Sequence, residues 1–268
     1  MANIWNLLLF HPLVNVLVWF TTLTGNLGWA IIVTTIALRF LMTPLVVPSL
    51  KMSKKMQELA PELAKLKSKH KDDKQALALA QAALYKQAGI NPASGCLPQI
   101  IQLIVLIALF NALNLLLKSD NIASTLNPIL YVGNKLSEGV ALTTHFWYLN
   151  LNQPDTFRLP GLPIPLPGLF LILSAVTQLL SSLMLMPAVI AEKKVASATP
   201  SDTDDAMVAA QQQMMYLFPL MTLVIGFQFP SGLVLYWLVF SAVSMLQQYL
   251  TTGWGGLTPY LRRLNLLK

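Results

Sequence analysis

One arginine, Arg39, stands in the run TTIALRFLMTPL at residues 34–45, among residues that otherwise belong in lipid. A guanidinium held there offers one kind of chemistry, the non-covalent capture of a carboxylate or polar peptide, and a low dielectric strengthens it. The position is costly. Scales for an arginine at the centre of a membrane helix run from about 2.5 to more than 10 kcal/mol, and the cost falls only where the group meets water, carbonyls or a polar partner. Along a helix Arg39 is about 18 Å from Lys51 and about 13 Å from a helix end near Pro48, so reaching the surface strains the side chain.

The partner is not an acid of the same chain. All 11 acidic residues lie in the charged connecting segments, so no apolar block offers a carboxylate for a proton relay, an aspartyl dyad or a cation site. His11, His70 and His145 are in separate segments, and the single Cys96 has no thiol partner and reads as a small packing residue. Metal-ligand spacing, a phosphate-cradling glycine loop and a serine elbow are all missing, which argues against an enzyme and leads us to expect no metal and no cofactor. Water in a cavity open to the cytoplasm is the expected partner of Arg39. The other polar residues in apolar blocks, Thr35, Gln102 and Gln178 among them, read first as helix-to-helix hydrogen bonds.

Composition says what must position these residues. The chain is 55% hydrophobic and 11% charged, and its apolar residues come as continuous blocks rather than short stripes, the pattern of an all-α polytopic membrane protein. Five blocks are expected to span, at residues 27–48, 97–117, 166–189, 214–229 and 232–250. The fourth, at about 24 Å, is short for a hydrocarbon core of about 30 Å, and local thinning of the bilayer is expected around it. The last two are separated by Phe229-Pro230-Ser231-Gly232, which predicts a tight turn. Residues 1–25 lack a basic start and a cleavage pattern, and His11-Pro12 interrupts them, so they read as an interfacial helix, with a short extra span as the alternative.

Charge sets the orientation. Nine lysines lie between the first two blocks, and with Lys193, Lys194, Arg262, Arg263 and Lys268 they make fourteen basic residues on one side against Lys118, Lys135 and Arg158 on the other. The positive-inside rule places the larger set in the cytoplasm, with the N-terminus outside. Residues 50–88 are expected to form a cytoplasmic helical hairpin, its first helix kinked at Pro61, with a lysine surface that suits anionic lipid or ribosomal RNA. The outer loop, 118–165, has an aromatic cluster at His145–Tyr148 and prolines at 154–167 that disfavour regular structure, whereas 190–212 reads as a flexible linker and 251–268 as a short basic tail.

Five motifs in register resemble the YidC-type membrane protein insertases: TTIALRFLMTPL, MQELAPELAKLKSKHKDD, LYKQAGINPASGCLPQIIQL, FWYLNLNQPD and FPSGLVLYWLVFSAVSMLQQ, covering roughly residues 27–250. The resemblance is to a short form without a large outer domain. It implies five helices around a hydrophilic groove open to the cytoplasm and the bilayer, in which the residue matching Arg39 receives the polar part of a substrate. It also implies groove positions at Gln178 and Trp237, to which the sequence adds Gln102 and Thr35. The hairpin lysines Lys54, Lys55, Lys65, Lys67 and Lys69 are expected to capture substrate or ribosome. Expected partners are nascent membrane proteins, the Sec translocon, possible ribosome contacts and lipid, with a monomer working in the bacterial plasma membrane. A small-solute channel or transporter is the competing reading, and a structural partner of the Sec channel is a third.

Overall fold

The computed structural model describes residues 4–70, 73–89, 97–119, 121–140, 142–161, 163–196, 213 and 216–266. Cys96 and most of the linker after Ala196 lie outside them. The described chain is mostly helical. A π-helical turn, Asn6–Phe10, leads into α1 (His11–Thr24), followed by α2 (Leu27–Leu41), α3 (Thr43–Lys69), α4 (Lys74–Gln87), α5 (Leu97–Lys118) and the short α6 (Ile122–Leu126). After the outer segment come α7 (Leu169–Ala196), α8 (Tyr216–Gly226), α9 (Ser231–Thr252) and α10 (Thr258–Arg263).

By length and composition, Asn6–Thr24, Ile100–Lys118 and Ser231–Thr252 are each able to cross a membrane, and Leu27–Leu41 and Thr43–Met52 are so only together. Leu169–Met184 and Tyr216–Gly226 are shorter apolar helices. The interruption expected at His11-Pro12 does not end the first helix. Pro12 falls just after the π-helical turn, in which the His11 N–H bonds the Asn6 carbonyl, so the helix continues through it. The break expected near Pro48 instead falls at Met42. Pro44 has no N–H to give to the Phe40 carbonyl, so α2 stops and a new helix starts, with Val46 N donating to Met42 O at 3.0 Å. Pro48 and the expected kink point Pro61 both lie inside the continuous helix α3.

The chain forms two compact units. The first comprises Met1–Leu41, Ile100–Val176 and Leu220–Val243. Apolar stripes at spacings of three and four build its core: Leu13, Val14, Leu17 and Val18 from α1, Leu27, Ala30 and Ile31 from α2, Ala108, Leu109, Ala112 and Leu113 from α5, and Leu233–Tyr236 from α9. The opposite face of α5 shows Ile100, Leu103, Ile104 and Ile107 outward, an apolar exterior that suits lipid and not water.

Between α5 and α7 the prolines do not abolish regular structure. Two small hairpins form, β1 (His145–Phe146) with β2 (Leu149–Asn150) and β3 (Thr156–Phe157) with β4 (Leu166–Pro167). Two-residue strands are all edge, so Pro167 opposite Thr156 costs no inner-ladder bond. These hairpins cap the helices that follow. Ser231 N donates to Gln153 O at 2.7 Å and Gly232 N to Leu151 O at 3.1 Å, satisfying donors at the start of α9. The Asp155 carboxylate accepts from Leu171 N at 2.8 Å and from the Tyr148 hydroxyl at 3.0 Å, and that hydroxyl accepts from Phe170 N at 3.2 Å. The start of α7 is thus tied down by a carboxylate that is only 3% exposed. Gly168 is required there, because a Cβ would meet that carboxylate.

The second unit comprises Met42–Gln99, Thr177–Pro219 and Ser244–Lys268. Within it α3 packs against α4, with Leu63 and Leu77 buried, and Asp73 caps α4 by accepting from Ala76 N at 2.9 Å. Gln247 Nε2 donates to Thr43 Oγ1 at 2.9 Å. Gly255, at φ +50°, lies against the Met184 backbone, where no side chain fits.

Candidate functional site

Arg39 sits in the last turn of α2, not in mid-helix, because the break at Met42 ends the helix two residues later. Free carbonyls and the negative end of the helix dipole lie at that terminus, so the fold places a cation where backbone favours one. It is buried, at 8% exposure, within the first unit. Its guanidinium carbon stands 4.4 Å above the ring of Phe240 on α9, a cation–π contact. One helical turn earlier, Tyr236 is 1% exposed and lies within electrostatic reach of the arginine. Its hydroxyl accepts a hydrogen bond from Gln102 Nε2 on α5 at 2.5 Å.

The first unit therefore brings together Arg39, Tyr236, Phe240 and Gln102 from three helices. Thr35 is 2% exposed and one turn before Arg39 on the same face, with its hydroxyl donating back to Ile31 O at 2.6 Å, so the hydroxyl hydrogen is spent within its own helix. Trp237 stands next round the helix from Tyr236 and packs its ring at 6.3 Å on Phe229, which meets Phe110 at 5.3 Å. Gln178 is buried within the second unit. Lys54, Lys55, Lys65 and Lys69 are exposed along α3, and the Lys67 side chain lies outside the described residues.

Sequence reasoning missed Tyr236 and Phe240. Their spacing of four in LYWLVF marks one face of a helix, and a tyrosine buried in lipid needs a hydrogen-bond partner, which was the available signal. Chemically the site is a buried cation flanked by an aromatic face, a phenol and a primary amide. Among the described residues no group of histidine, cysteine, aspartate or glutamate is arranged to hold a metal ion.

Helices with apolar exteriors and this enclosed polar cluster define a polytopic helical membrane protein. A family model described as 60Kd inner membrane protein matches residues 19–254. "Membrane protein insertase YidC" of Fusobacterium nucleatum subsp. nucleatum is 33% identical over 225 residues, 84% of this chain and 85% of that protein. "Membrane protein insertase YidC 2" of Bacillus anthracis is 30% identical over 94% of this chain and 82% of its own length. The Syntrophobacter fumaroxidans YidC insertase is longer, and the chain matches 38% of it at 34% identity. The chain belongs to the 60Kd inner membrane protein family, the YidC-type membrane protein insertases, which are not enzymes.

Proposed function

We propose that this chain inserts newly made membrane proteins and helps them fold by receiving their polar segments in a hydrated groove at Arg39. The observation that carries the reading is the cation itself, 8% exposed near a helix end and grouped with Tyr236, Gln102 and Phe240. No apolar block of the sequence supplies an acid, and in this reading the carboxylate received at Arg39 is the substrate's. An incoming acidic or polar tail is held there transiently, its apolar segment moves sideways into lipid, and burial of that segment drives the step, aided by the membrane potential. Trp237, Gln102 and Thr35 line the groove of the first unit in this reading, Gln178 is a further substrate-binding residue, and the exposed lysines of α3 capture substrate or ribosome. The protein works as a monomer or beside the Sec translocon in the bacterial plasma membrane, with the lysine-rich segment and C-terminus in the cytoplasm.

The hydrogen bonds of α1 support an interfacial placement for that helix on the outer side. Asn15, at its middle, donates to Ile129 O at 3.0 Å and accepts from Tyr131 N at 2.7 Å. Asn26, just past its end and about 16 Å further along, donates to His145 O at 2.7 Å. A crossing helix carries its middle to the bilayer centre, and the irregular backbone of residues 129–134 is not tolerated facing lipid there. Lying along the surface satisfies both contacts.

The test uses purified protein in sealed vesicles and a one-span substrate with an acidic translocated tail. Arg39→Ala is expected to abolish insertion and Arg39→Lys to retain part of it. Undiminished insertion by Arg39→Ala refutes the role of the arginine. Solute flux without insertion supports a channel instead.

A further inference from the structure

Arg39 accounts for acidic tails, and the polar pair beside it, Gln102 and Tyr236, carries no charge. Gln102 Nε2 donates to the Tyr236 hydroxyl, and the other amide atom, Oε1, is buried with no hydrogen-bond partner among the described residues. Turning the amide over exchanges the roles without removing the shortfall: Tyr236 then donates to Oε1, and Nε2 is left over. In either orientation the hydrogen-bonded pair retains at least one unspent donor and at least one unspent acceptor next to each other. Such a shortfall in an apolar core is costly, and it persists where something else completes it.

What completes it follows from its chemistry. The pair is neutral, so it has no preference for a carboxylate over an ammonium. One donor beside one acceptor is the complement of a peptide group, with its C=O and N–H. We propose that Gln102 and Tyr236 form an uncharged site for the backbone of the segment being carried across, next to the charge-reading site at Arg39. The inference rests on the insertase reading above. It assigns the two sites different substrates: Arg39 favours tails bearing acids, and the Gln102–Tyr236 pair serves polar tails without charge, whose peptide groups are otherwise stripped of water with nothing in exchange.

Two one-span substrates in vesicles of the purified full-length protein test this, one with a Ser/Asn/Gly tail and one whose tail carries two aspartates. Gln102→Leu is expected to slow insertion of the neutral tail about tenfold, the worth of one good hydrogen bond, and to slow the acidic tail much less. Arg39→Ala is expected to show the opposite preference. Tyr236→Phe keeps the ring, removes the hydroxyl and should reproduce the Gln102→Leu selectivity, which covers the case in which leucine at 102 disturbs folding. A synthetic neutral tail with single amide-to-ester replacements, which delete one N–H each, should be inserted more slowly than its parent by the wild type and no more slowly by Gln102→Leu. Equal slowing of both tails, no slowing by either variant because water completes the amide, or an ester effect unchanged by Gln102→Leu each overturns the proposal. Failure of the wild type to insert either substrate overturns the insertase reading itself, which separates the two.

Discussion

Replacing Asp155 with alanine removes both bonds that its carboxylate accepts at the start of α7. The two losses differ in weight. Tyr148 is 55% exposed as a residue, and the loss of its bond counts for less. The Leu171 N–H is buried, and a hydrogen bond to a charged group contributes about 1.5–3 kcal/mol. Loss of the negative charge facing the helix N-terminus adds about 0.3–1 kcal/mol, so the first turn of α7 should open about 2–4 kcal/mol more easily. Read by amide hydrogen exchange in detergent micelles, this is about 30- to 700-fold faster exchange at Leu171, at about 1.4 kcal/mol per tenfold. Amides in the middle of α5, such as Ala112, serve as the reference for global opening. Asp155→Asn keeps an acceptor oxygen and should lose less than half as much. Unchanged exchange at Leu171 in Asp155→Ala refutes the capping argument, and equal acceleration at Ala112 shows that the effect is global and not local to α7.

Other substitutions probe neighbouring features. Gly168→Ala places a Cβ against the Asp155 carboxylate and should destabilise by about 1–3 kcal/mol in thermal unfolding, whereas a neutral effect means the loop relaxes freely. Phe240→Leu removes the ring under the guanidinium and should lower stability by about 0.5–2 kcal/mol beyond the change in packing, measured against the same substitution in an Arg39→Ala background, where that excess must vanish. Burial pushes the Tyr148 phenol above its usual range; the Phe170 N–H opposes this, and the Asp155 carboxylate adds to it. Below about pH 10 the phenol is neutral in both folded and unfolded chains, and above it the unfolded chain ionises first. Stability should therefore hold to about pH 10 and fall as the pH rises toward the folded-state value, and Tyr148→Phe should flatten that fall.

Much of the architecture was legible because it follows from composition and period alone. Lipid leaves no alternative to helices for apolar blocks of this length, and the blocks at 97–117 and 232–250 correspond to the helices Leu97–Lys118 and Ser231–Thr252. Where sequence reading went astray, local and non-local effects of proline were at issue. Pro44 and Pro48 look alike in the sequence, yet only the first coincides with a break, while the other is carried within α3. Whether a helix bends, breaks or continues at proline depends on whether neighbours re-satisfy the freed carbonyl, and local sequence does not contain those neighbours. The same holds for His11-Pro12 and for the proline-rich outer segment, whose hairpins are held by partners such as Asp155 and Phe170.

For Arg39 the division is sharpest. The sequence by itself determined that a lone cation sits in an apolar block that contains no acid, because charge and hydropathy are properties of residue order. Tertiary structure decided the rest: that α2 ends at Leu41 and offers its carbonyl end, that Phe240 lies beneath the guanidinium, and that Tyr236 and Gln102 pair beside it. These contacts join positions some 60 to 200 residues apart in the chain, and they arise from the rotation and packing of helices, which no periodicity within one helix specifies.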